Sequence, residues 1–228
     1  MNRNNKKIIL CVVAHPDDEA LGIGGTLIKH KKNKDTVYIV ILSKGESAKK
    51  YKKDKNLRRL DNANKWSQIA GVNLFKVFNY PDQKLDTVSQ LKIVKNLEKI
   101  IEILKPDIVY IHHMFDINKD HQIAAEASLV ALRPIAYHKI KPEIRSFETP
   151  SSTDQTPNSL YQIFKPNLYV DIQDVWKDKI LALSAYSKEL RAFPHPRSVK
   201  SMEALAIKRG SEAGLKKAEA FYIVRSIW

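Results

Sequence analysis

Residues 7–19 read KIILCVVAHPDDE: an unbroken aliphatic run, Lys7 to Ala14, followed at once by a histidine, a proline and three carboxylates. A run with no polar alternation fits a strand buried on both faces, as strands of parallel sheets are. Thr36–Leu42 (TVYIVIL) and Asp107–Ile111 (DIVYI) repeat the pattern, and Val72–Phe78 forms a further strand. Between them lie helical stretches, at 20–31, 55–70 (closed by Gly71) and 120–132. The clearest periodicity is Val88, Leu91, Val94, Leu97, Ile101 and Leu104, one apolar face stopped by Pro106. Strictly alternating β and α segments predict an α/β fold: a doubly wound, mostly parallel, Rossmann-like sheet with helices on both faces.

After Arg133-Pro134 the pattern weakens. Strands are expected at 143–148 and 168–172, helices at 175–190 and 202–213, with RAFPHPRS (191–198) between the two helices. A chain of 228 residues then reads as one domain: a Rossmann-like core over 1–133 and a small C-terminal extension over 134–228 that completes the site. One cysteine, Cys11, excludes a disulfide framework and a cysteine-based zinc cluster. No apolar run is long enough for a membrane-spanning helix. The basic residues before Ile8 mimic a signal peptide, but the run ends at His-Pro-Asp-Asp-Glu and not at a cleavage site, so a cytoplasmic location is expected. The formal net charge is +14. The basic residues are spread along the chain without a basic tail or an aromatic-basic motif, which argues against nucleic acid as a partner.

In doubly wound sheets ligands bind where loops leave the carboxyl ends of the strands, at the point where strand order reverses. With the first and fourth strands side by side, the loop after Ala14 faces the loop after Ile111, which carries Asp116-Ile117-Asn118-Lys119-Asp120-His121. His15, Asp18 and His121 then supply two imidazoles and a carboxylate, the three-ligand set of an open zinc site. Asp17 can turn away from the metal toward its water, and a carboxylate not bound to the cation keeps the basicity a general base needs. Asp120 is placed to orient a ring nitrogen behind the metal. Taken singly, either cluster is an ordinary helix cap with dipole compensation; their convergence on neighbouring strand ends carries the argument. Of the two histidines ending the fourth strand, His113 is the candidate for the crevice, while His30 and His138 read as structural or solvated.

The string AHPDDEALGIGGTL resembles the hallmark of the LmbE-like (PIG-L) superfamily of zinc-dependent N-deacetylases, and FDINKDH resembles its second motif, a polar loop ending in Asp-His. SKGE after the second strand, the helix from Arg58-Arg59 to Ala70-Gly71-Val72, and the C-terminal FPHPRS and AEAF strings extend the resemblance over nearly the whole chain. It implies His15, Asp18 and His121 as metal ligands, Asp17 as general base and Asp120 as the carboxylate behind a ligand. It further implies Glu46 and Arg59 (or Arg58) as substrate contacts. The implied activity is hydrolysis of an N-acetyl or other N-acyl amide on an amino sugar or its conjugate, in surface glycan or polysaccharide biosynthesis. The implied cofactor is zinc, with ferrous iron, cobalt or manganese as alternatives; enzymes of this kind often form homo-oligomers.

One position departs from the pattern. Many relatives carry a histidine three residues before the last ligand, and here that residue is Asn118, which can donate a hydrogen bond to an oxyanion but cannot titrate. The stiff Pro-His-Pro-Arg-Ser turn offers His195 as a second acid and Arg197 as a contact for an anionic group. The positive charge suggests a phosphate- or nucleotide-linked substrate. A ferrous oxygenase would use the same ligand types but needs no spare carboxylate beside them. The readings without hydrolysis are a receiver-like α/β module and a basic nucleic-acid-binding module.

Overall fold

The computed structural model describes residues 6–45, 59–134, 140–157 and 163–227. The strands are β1 (Ile8–Val13), β2 (Thr36–Ser43), β3 (Asn73–Tyr80), β4 (Ile108–His112), β5 (Glu143–Phe147), β6 (Leu168–Asp171) and β7 (Ala218–Arg225). The helices are α1 (Asp18–Lys32), α2 (Arg59–Ala70), α3 (Gln90–Leu104), α4 (Lys119–Ala131), α5 (Trp176–Leu183) and α6 (Val199–Ser211). They build one seven-stranded sheet in the order β3-β2-β1-β4-β5-β7-β6. The first five strands pair in parallel, and β7 runs antiparallel to both β5 and β6.

Alternation along the strands divides the core into two layers. Ile9, Cys11 and Val13 of β1, with Ile108 and Tyr110 of β4, pack against α1, α2, α5 and α6. Leu10, Val12, Val109 and Ile111 pack against α3 and α4. The expected doubly wound, mostly parallel fold is present. Two differences qualify the expectation for the C-terminal part. Residues beyond 133 add β5, β6 and β7 to the same sheet, and the expected 175–190 helix ends at Leu183 before a 3₁₀ turn over Ser184–Tyr186. The early helix ending leaves Glu189 in an irregular segment that returns toward α2.

β7 went unread as a strand because Glu219 interrupts its apolar residues. That carboxylate is buried because α1 requires it. Ile23 leaves helical geometry (φ −134°, ψ 18°), which frees backbone N–H groups one turn further on. Glu219 accepts from Gly25 (2.9 Å) and Thr26 (2.7 Å), and Lys179 donates to it at 2.7 Å.

Candidate metal centre

Strand order places β1 between β2 and β4, so the chain leaves β1 beside the exit of β4. Cys11 lies opposite Tyr110 in the β1–β4 register, and the two polar loops follow directly. Between β1 and α1 the backbone turns sharply: Asp17 has φ 106° and ψ −27°, a conformation that costs a non-glycine residue ~1–3 kcal/mol. Its N–H donates to Glu19 Oε2 (3.1 Å), and its carbonyl accepts from Ala20 and Leu21. The turn aims consecutive carboxylates at different partners.

Asp18 Oδ2 lies 3.5 Å from His15 Nδ1, 3.3 Å from His121 Nε2 and 3.4 Å from His112 Nε2. It also accepts the His15 backbone N–H at 2.9 Å. His15, Asp18 and His121 are buried and offer ligand atoms all within 4.8 Å of one another. His112 stacks on His121 with ring centroids 3.9 Å apart. Burial and the neighbouring His121 push His112 down to about 4, so it is neutral at physiological pH.

Each of the other two imidazoles turns its second nitrogen to a carboxylate. His15 Nε2 is 3.0 Å from Asp120 Oδ2 and 3.2 Å from Asp82 Oδ1. His121 Nδ1 is 3.2 Å from Asp116 Oδ2. Burial opposes charge on these rings but is outweighed: Asp120, Asp18 and Asp82 hold His15 well above the ordinary range, and Asp18 and Asp116 hold His121 at about 9. Asp18 is held well below the carboxylate range, its burial overcome by His121, His112 and His15. A buried set of two imidazoles and a carboxylate in a field that favours cations suits a divalent ion such as zinc, which would replace the protons.

Asp17 faces other partners. Its Oδ2 accepts from Arg59 Nη2 (2.8 Å) and Arg197 Nη1 (3.1 Å). Both guanidiniums are shared with Glu189 Oε2, at 3.3 and 3.9 Å. Burial pushes the Asp17 carboxyl above its ordinary value while Arg59 opposes the shift. A cavity of about 420 Å³ adjoins the cluster through Asp82 and is lined by Ser43, Lys44, Gly45, Asn79, Tyr80 and Pro81.

The structure therefore brings together His15, Asp17, Asp18, Asp120, His121, Arg59 and Arg197. Asn118 caps α4, its side chain accepting the Asp120 N–H at 2.9 Å. The ring behind which Asp120 stands is that of His15. Two expectations are redirected. His112, not His113, faces Asp18, and His113 packs edge-on against Phe115 and Phe164. His195 is exposed and its Nδ1 accepts the Arg197 N–H at 3.0 Å, so Arg197 is the side chain of that loop that meets the cluster. Glu46 and Arg58 lie outside the described residues, as does His138.

Sequence reasoning missed Asp82, Asp116, Ser152 and Glu189. Strand parity could have separated the histidines, because His112 shares its phase with Ile108 and Tyr110, on the face covered by the helix that starts at Asp18. Nothing local marks Glu189.

Fold and site together define a Rossmann-like α/β protein with a buried histidine–aspartate centre at its switch point. The model of the PIG-L family, described as GlcNAc-PI de-N-acetylase, matches residues 10–132, and the chain belongs to that family. It is 24% identical over 234 residues to the diacetylchitobiose deacetylase of Thermococcus kodakarensis, covering 99% of this chain and 86% of that protein. It is 31% identical over 156 residues to the uncharacterized deacetylase YaiS of Escherichia coli, covering 65% and 77%. Among solved structures, GalB, the 4-carboxy-2-hydroxymuconate hydratase of Pseudomonas putida, superposes with a TM-score of 0.77 at 22% identity, covering 97% of this chain and 98% of that one. Since a hydratase shares the fold, the chemistry must be argued from the site. Among the described residues no helix is long and apolar enough to cross a membrane.

Proposed function

We propose that the protein is a metal-dependent amidohydrolase that removes an N-acetyl, or closely related N-acyl, group from an amino sugar or amino-sugar conjugate. The observation that carries this reading is the division of labour at residues 17 and 18: Asp18 joins two imidazoles while Asp17, beside it, stays with arginines. His15, Asp18 and His121 would hold the ion. Zinc is the first choice, with ferrous iron, cobalt or manganese as alternatives; bound there, it supplies Lewis acidity to the amide carbonyl and lowers the pKa of a coordinated water.

Asp17 takes the proton of the attacking water. The two arginines engage Oδ2, so Oδ1 is the oxygen assigned to this task. Asn118 donates from its amide nitrogen to the developing oxyanion, since its oxygen is held by the Asp120 N–H. Asp17 then returns the proton to the departing amine, giving a carboxylate and a free amino sugar. The adjoining cavity gives room for the sugar, and Arg59 and Arg197 with the overall charge of +14 favour a phosphate- or nucleotide-linked substrate. The deacetylase names of the relatives support the reaction, the FPHPRS and AEAF strings support a place in surface glycan biosynthesis, and the reading of residues 8–19 as a strand and turn supports a cytoplasmic location.

Acetate release from a panel of N-acetyl sugars and sugar nucleotides, with elemental analysis of the purified protein, tests the reading. Activity is expected to vanish on chelation and return with zinc. Asp17→Asn should keep its metal and lose activity by about 100-fold or more, whereas His121→Ala should lose the metal. Full activity in Asp17→Asn, or a metal-free parent that releases no acetate from any substrate, overturns it.

A further inference from the structure

We infer that Asp116 is a positioning residue for the metal ligand His121, held in place by Ser152 and Thr153 from the loop after β5. The inference rests on the ligand set proposed above. A metal-bound imidazole needs its second nitrogen fixed by an acceptor, which sets the ring's orientation and raises its basicity as a ligand. The residue preceding His121 cannot serve, because successive residues of a helix project about 100° apart, and Asp120 is committed elsewhere. Its Oδ2 meets His15 and the Gln83 N–H (2.8 Å), and its Oδ1 accepts the Leu85 N–H (3.0 Å).

Asp116 is fully buried, and donors are found on both of its oxygens. Oδ1 accepts from the Asn118 N–H at 2.8 Å and from the Ser152 hydroxyl. Oδ2 accepts from Thr153 Oγ1 at 2.6 Å and faces His121 Nδ1 at 3.2 Å. Thr153 Oγ1 in turn accepts the Thr149 N–H at 2.8 Å. An ionised carboxylate has about four lone-pair sites, and these partners fill them, so the group has little freedom to turn from the ring. A hydrogen-bonded path therefore runs from the β5 exit through Asp116 to His121. The two histidine ligands are served by separate carboxylates, Asp120 behind His15 and Asp116 behind His121.

The test is zinc affinity by competition with a chromophoric chelator, together with the visible d–d spectrum of the cobalt-substituted protein. Asp116→Asn is expected to weaken zinc binding by about 10–100-fold and to alter the cobalt spectrum. Thr153→Val, a near-isosteric change that removes one donor to Oδ2, should give a smaller loss in the same direction and keeps the test open if Asp116→Asn does not fold. Parent-like affinity and spectrum in folded Asp116→Asn, or in Thr153→Val where the first variant does not fold, would remove the assignment while leaving the hydrolase reading intact. A parent that binds neither zinc nor cobalt would remove both.

Discussion

Asp17 works in a left-handed turn that glycine would adopt more easily, and it is held there by what surrounds it. Its amide is taken by Glu19, whose carboxyl is pushed up to about 8 by burial against the opposing hydrogen bond from Tyr186. On the other side Arg59 reaches Asp17 across Gly45, donating to the Gly45 carbonyl at 3.2 Å. Gly45 has φ +67°, and a Cβ there would stand 2.4 Å from Arg59 Nη1. Gly45→Ala should therefore displace the guanidinium from Asp17. Turnover should fall by about tenfold or more while zinc content stays full, measured by initial rates beside elemental analysis; unchanged turnover would show that the Arg59 contact with Asp17 does not matter to the proposed reaction. At this scale His15, Asp18 and His121 were legible because each belongs to a compact string next to a strand end. Glu189 was not, since a lone glutamate after a helix becomes part of the site only through the bend that follows Leu183.

At the scale of elements, α1 cannot be understood without β7. The helix carries Asp18 at its start and breaks at Ile23, and its second half is capped from the far end of the chain by Glu219. Glu219→Ala would strand a buried Lys179 ammonium and two backbone N–H groups. A loss of about 3–5 kcal/mol of stability is expected, read from urea unfolding; a loss under 1 kcal/mol would mean that water or another group replaces the carboxylate. Periodicity located β1 to β4 and the helices between them, because each buries one face or two. It could not locate β7, whose charged second residue makes sense only with two partners, one about 40 residues away and the other nearly 200.

For the molecule as a whole, the sheet order concentrates acid at one point. Asp17, Asp18, Glu19, Asp82, Asp116, Asp120 and Glu189, seven of the 25 acidic residues, are buried around the β1–β4 exit, so the outer surface is more basic than the total charge implies. Stability should depend on pH through groups away from this centre too. His30, at the end of α1, bonds Asp35 (2.7 Å) and Tyr110 (2.8 Å), yet burial outweighs Asp35 and holds it below its ordinary value. The folded state then binds fewer protons than the unfolded chain as pH falls past about 6.5, and stability is lost in that direction. His30→Gln should flatten the decline between about pH 7.5 and 5.5, seen as a smaller shift in urea midpoint than the parent's at saturating zinc. An equal shift in both proteins would exclude His30 as a contributor.

The position of β7 also constrains the order in which the molecule can be assembled. It is made after both of its neighbours, yet it sits between them, so β6 has no neighbour and one edge of β5 stays open until residue 218 has been made. A nascent chain therefore carries an adhesive flank from the completion of β5 at Phe147 until β7 begins at Ala218. Closing that flank and capping the first helix are a single late event.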